Sequence, residues 1–129
     1  MTSTRALFIF ATSRRPWRTR FPPPRTARHN VAHVFNAWTR MPSLTDQIAI
    51  PDAFTADFSV VRALLQHGRT YEQAVDLFEP YEKVQNPDPS TRGALRQIAD
   101  RAVRKKQRAY VFVNNRLEGN APSTIEAVA

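Results

Sequence analysis

The sequence predicts an α/β chain built on parallel strands, and three observations carry that reading. Strand-like apolar runs occur at 31–36, 58–65 and 109–113. Segments with helical spacing and capping residues separate or follow them. The last run, AYVFV, has no polar alternation, as expected of a parallel strand covered on both faces. Strands alternating with helices in this way fit either a doubly wound sheet or a (β/α)8 barrel.

Taken in order, VAHVFN (31–36) reads as a short strand with a single histidine, His33, inside it. The connection that follows, 37–57, exceeds the usual loop length, so a local helix is expected near Ser43–Ile48, between the breakers Pro42 and Pro51. FSVVRALL (58–65) is rich in branched residues and carries one charge, Arg62. A second strand fits it best.

Thr70 followed by Gln73 forms a capping box, in which the hydroxyl accepts a free helical N–H and the amide reaches back. Tyr71, Ala74, Val75 and Phe78 then share one face, and Pro80 ends the helix. A longer helix is expected from Pro89 or Ser90 to Lys106, with Asp88 and Ser90 competing as N-cap. Its buried stripe is Leu95, Ile98, Ala99, Ala102 and Val103, and Arg96, Asp100 and Arg104 face water. The basic run RKKQR at 104–108 suits the negative end of the helix dipole, so it reads as a helix stop and not as a nucleic-acid patch. After AYVFV a last helix starts near Pro122, with Ser123 and Glu126 as a second capping box.

Charge divides the chain in two. The net charge is +8, yet residues 1–28 hold seven arginines and no acid, while 29–129 are almost balanced. The first segment is expected to be an Arg/Pro-rich arm, disordered or read out of frame. Its apolar run, 6–11, is far short of the roughly twenty residues that cross a bilayer. It is also short for a secretory signal, and three consecutive prolines (Pro22, Pro23, Pro24) break the amphipathic helix that a transit peptide needs. The arginines and Trp17 offer contacts to phosphates and bases, so a small basic nucleic-acid-binding protein is the alternative function; a solvated tail is the preferred reading. No membrane partner is expected. The absence of cysteine excludes disulfides and thiolate chemistry, and makes the cytosol the default compartment.

The phrases NAWTRMPSLTDQI, FSVVRALL, GRTYEQAVDLFEPYEKVQNPDPSTR and YVFVNNRLEGNAPSTIEAVA resemble the closing part of the YecE-like family, domain of unknown function 72. The Asn-Asn pair after the last strand, with Gly119, Ala121 and Pro122 beyond it, is the most specific element. The resemblance covers about residues 29–129. It implies a TIM-like barrel from a bacterial or archaeal family without a settled activity, and hence a partial (β/α)8 barrel here: the last three or so strands with their helices. A whole barrel takes roughly 250 residues, so the chain is expected to be a truncated or frame-disrupted fragment without independent activity. Such a fragment would have two bare sheet edges and a tendency to self-associate.

Ligands of such barrels bind at the C-terminal ends of the strands, and the intact barrel is expected to bind an anionic small molecule there. Asn114 and Asn115 follow the last strand, and their amides can donate and accept. Gly119 would let backbone approach a ligand closely. Arg62 in an apolar strand needs an anionic partner, and Trp38 with Arg40 could supply a stacking face and a second cation. Glu118, a lone loop carboxylate, reads as solvated. No cofactor motif is present, no catalytic residue can be named, and His29 with His33 lacks a third metal ligand.

Overall fold

The computed structural model describes residues 29–129. The expectations for the Arg/Pro-rich segment 1–28 lie outside the described residues.

Three strands, β1 (Val34–Ala37), β2 (Phe58–Ala63) and β3 (Arg108–Val113), form one parallel sheet in the order β1-β2-β3. A short helix α1 (Leu44–Ile48) lies in the first crossover, and α2 (Tyr71–Phe78) with α3 (Pro89–Lys105) in the second. After β3 come a one-turn helix α4 (Asn115–Glu118) and a final helix α5 (Ala121–Val128). The class is therefore mixed α/β with a small parallel sheet.

Register assigns the side chains to two faces. Val34, Val60 and Tyr110 share one cross-strand row, and Asn36, Arg62 and Phe112 another. The alternate rows, Phe35/Val61/Val111 and Ala37/Ala63/Val113, turn the opposite way. Phe35, Ala37, Val61 and Ala63 are buried in one core with Leu44, Ala94, Leu95, Ile98 and Leu117, so the helices cover that face. Burying each of the larger side chains contributes about 1.5–3 kcal/mol. A second cluster, Leu65, Ala74 and Phe78 with Tyr81 against it, seats α2.

Local sequence explains most boundaries. Thr70 and Gln73 form the reciprocal capping box (3.0 and 3.2 Å) at α2. Ser43 caps α1, and at α3 Asp88 wins over Ser90 by accepting from the Thr91 N–H at 3.0 Å. Lys106 closes α3 in the left-handed conformation. At α5 the cap is Asn120, which accepts from the Ser123 N–H at 3.0 Å. The expected Ser123/Glu126 box does not form, because Ala121 already lies inside the helix.

Two further expectations are corrected. The β3 strand is not covered on both faces: Tyr110 and Val111 are exposed, because the strand is the sheet's outer member and the helices lie on one side only. Val103 leaves the predicted stripe and is 77% exposed, since the buried arc of α3 narrows to Ala94, Leu95, Ile98 and Ala102.

The β1 edge, expected to be bare, is closed at its centre. Gln47 is fully buried; its Oε1 accepts the Asn36 N–H (3.0 Å), and its Nε2 donates to the carbonyls of Asn36 (3.0 Å) and Pro42 (2.7 Å). The side-chain amide thus stands where a neighbouring strand would pair. Gln47→Leu strands these main-chain groups without partners and is expected to cost about 2–3 kcal/mol, read as a lower urea midpoint at unchanged m-value.

Candidate functional site

Parallel pairing brings the C-terminal ends of the strands to one end of the sheet, and with them five of the six candidate residues. Trp38 and Arg40 follow β1, Arg62 is the penultimate residue of β2, and Asn114 and Asn115 follow β3. The loops there are tied together: the Thr39 hydroxyl donates to the Arg69 carbonyl at 2.7 Å, and the Asn114 N–H donates to the Ala63 carbonyl at 3.0 Å.

The two asparagines serve the turn that follows them. The Asn114 Oδ1 accepts from the Arg116 N–H (2.9 Å), capping α4, and the Asn115 Oδ1 accepts from the Ala121 N–H (2.8 Å), fixing the start of α5. Gly119 sits away from the strand ends, at φ 113°, where an added Cβ would lie 2.5 Å from the Lys83 carbonyl oxygen. The close approach that requires glycine is that of the chain's own 83–85 segment.

Arg62 occupies the helix-free face of the sheet, in the row of Asn36 and Phe112, and is itself engaged in an interaction. In the same row the Asn36 Oδ1 is buried without a hydrogen-bond partner among the described residues. Trp38 is 38% exposed, and Arg40 is exposed as well. On the helix side Trp38 borders a hollow of about 90 Å³ with Ser43, His67, Asp88, Ser90 and Thr91. Its acidic member is Asp88 and it contains no arginine or lysine, so this hollow does not suit an anion.

Sequence reasoning missed two clusters. Arg116 places its guanidinium 4.3 Å from the centre of the Tyr71 ring and donates to the Tyr71 hydroxyl at 2.9 Å, joining α4 to the start of α2. A charged residue two beyond an asparagine cap, facing a helix-start tyrosine, gives no periodic signal from which this could be read.

The second cluster centres on Glu118, which is buried and not solvated. It pairs with Arg92 through three hydrogen bonds of 2.7–3.0 Å, and accepts from the Asp88 N–H (2.7 Å) and the Thr124 hydroxyl (2.8 Å). Burial pushes this carboxyl upward, but the Arg92 and Asp88 hydrogen bonds, the Thr124 hydroxyl and the Arg92 charge outweigh burial and hold it below the ordinary value. Every carboxylate contact comes from the chain itself, which makes Glu118 an organiser of the fold.

Among the described residues no group of three or more His, Cys, Asp or Glu is placed to hold a metal ion, and no helix is long and apolar enough to cross a membrane. Comparison of the chain with protein-family models, with curated proteins and with solved structures finds no match in any of the three.

Proposed function

We propose that residues 29–129 are the closing segment of a YecE-like (β/α)8 barrel, and that the C-terminal ends of its strands receive a small anionic ligand bearing a hydroxyl group. The parallel order, with helices on one face and an opposite face of mixed character that carries Val34, Val60, Tyr110 and Phe112 beside Asn36 and Arg62, fits a barrel wall. The ligand reading rests on one observation, the orphaned Asn36 Oδ1 in the row of Arg62 and Phe112. A buried acceptor without a donor costs about 1–3 kcal/mol, which a ligand hydroxyl would relieve. Arg62 in the adjacent strand supplies positive charge for the anionic group. Phe112 gives the row an apolar floor. Binding is the proposed role; no reaction is assigned.

The test is an amide NMR titration of the full chain with glycerol phosphate, run beside inorganic phosphate. Saturable shifts at Asn36, Arg62 and Phe112 are expected, larger with glycerol phosphate, and lost in Asn36→Leu. Shifts confined to residues 1–28 would favour the alternative of a basic arm that binds phosphates, and the absence of saturable shifts anywhere would reject the ligand.

A further inference from the structure

We propose that the outer edge of β3 pairs with the same edge of a second copy of this chain, antiparallel about a two-fold axis near Val111, so that two sheets become one. The proposal is independent of any ligand. It starts from hydrogen-bond direction: the Asn114 N–H points to Ala63 of β2, and in a parallel ladder the main-chain groups of alternate residues point alternately to either side. Arg108, Tyr110 and Phe112 therefore face β2, and Ala109, Val111 and Val113 turn their N–H and C=O groups outward. Among the described residues, no main-chain bond outside the β2 ladder reaches these three.

Among the described residues, only one sheet edge is open for this. At β1 the Gln47 amide occupies both main-chain groups of Asn36, which blocks head-to-tail pairing of β1 on one copy with β3 on another. The symmetric pairing of β3 with itself remains, and it closes as a dimer where head-to-tail pairing would run on as a filament.

The surroundings of the edge fit a self-complementary contact. The only charge in β3 is Arg108, at the start of the strand. Antiparallel pairing about Val111 sets it opposite Asn114, the uncharged residue just past the end of the other copy's strand, so no like charges meet within the paired strands. Apolar side chains stand exposed on the elements around the strand: Val111 itself, Ile125 of α5 and Val103 of α3. Val103 lies on the flank of α3 that also carries Arg92 and Arg96, about three and two turns closer to the helix start and bonded to Glu118 and to the Ala127 carbonyl, so that flank faces the α4–α5 segment beside β3.

Sedimentation velocity on the full chain at tens of micromolar is expected to show a dimer. Val111→Pro removes the donor at the axis while sparing the β2 ladder, because the Val111 N–H faces outward; it is expected to give a folded monomer with unchanged far-UV circular dichroism. A second pair of variants keeps the test decisive should that proline unfold the chain. The chain contains no cysteine, so Val111→Cys and Leu77→Cys, the latter on the exposed surface of α2, each carry a single thiol. Facing residues of an antiparallel pair lie about 4.5–5.5 Å apart at Cα, within disulfide reach. Mild oxidation is expected to cross-link the Val111→Cys protein and leave Leu77→Cys uncoupled. A monomeric parent chain, a folded Val111→Pro dimer, or equal cross-linking from both thiols overturns the proposal. A monomer whose β3 edge amides resist exchange overturns it as well, since the edge is then covered without a second copy.

Discussion

Glu118→Ala is expected to lower the free energy of unfolding by about 3–5 kcal/mol, a large share of the roughly 5–15 kcal/mol that holds a domain of this size folded. The carboxylate is 0% exposed and satisfies an N–H of the loop before α3, the Arg92 guanidinium on α3 and the Thr124 hydroxyl on α5. Its own carbonyl also accepts from Gln85 (2.8 Å) and Asn86 (3.3 Å). Removing the side chain leaves the three side-chain-bound donors facing a void. Water can reach Arg92, whose side chain is 21% exposed, so the lower part of the range is expected. Glu118→Gln keeps Oε1 as the acceptor for the Asp88 N–H, but it removes the charge and replaces Oε2, which accepts from Arg92 and Thr124, with an NH2 donor; about 1.5–3 kcal/mol is expected. Urea unfolding followed by circular dichroism orders the two variants, and equal stability of Glu118→Ala and the parent would exclude the carboxylate as a support of the fold.

The same residue sets an acid sensitivity. Because its folded value is held below the ordinary 4.5, the Glu118 contribution is fully present above that value and is lost as pH falls through the depressed one. His33 acts earlier in an acid titration. Burial lowers its value beneath the ordinary 6.5, so the unfolded chain takes up a proton before the folded one does, and stability declines as pH drops below 6.5. The two effects have the same sign and follow one another. Glu118→Gln is expected to abolish the lower stage and retain the upper, as read from unfolding midpoints measured between pH 7 and pH 3.

What was legible beforehand follows from the range of each interaction. The α2 capping box spans three residues, and the Asp88 cap and the α1 helix are set within a few more, so local sequence contains their cause. The parallel sheet was legible because strand runs alternated with helical ones. Coverage of β3 was not, since an apolar run reads the same whether one face or both are packed; only the position of the strand at the sheet edge decides. Glu118 was opaque for a related reason. Its partner Arg92 lies 26 residues earlier, in another helix, and a lone acid in a loop carries no mark of the cation that will meet it. The Asn-Asn pair shows the limit from the other side: the residues were noticeable, but their Oδ1 atoms are committed to Arg116 and Ala121, within six residues of each.

The three glycines are expected to respond to alanine in three different ways, and Gly119 gives the largest effect. Gly93, inside α3, has no atom within 4 Å of an added Cβ, so Gly93→Ala should stabilise by about 0.5–1 kcal/mol through lower chain entropy and better helix propensity. Gly68 also has open space around it but sits at φ 79°, so its alanine pays only the backbone cost of the left-handed conformation, about 1–2 kcal/mol. Gly119 combines φ 113° with a Cβ position 2.5 Å from the Lys83 carbonyl oxygen and 3.1 Å from the Gln85 nitrogen. Both obstacles are backbone, and neither can swing aside as a side chain would. Relief requires moving the segment whose Gln85 and Asn86 N–H groups bond the Glu118 carbonyl and whose Asp88 N–H bonds its carboxylate. Steric strain therefore spreads directly into the buried ion pair, and a loss of about 3–5 kcal/mol is expected. Because the two sites share one network, Gly119→Ala and Glu118→Ala should be strongly sub-additive when combined. A double-mutant cycle in urea checks this: additive losses would mean that the 83–88 segment does not link the glycine to the carboxylate.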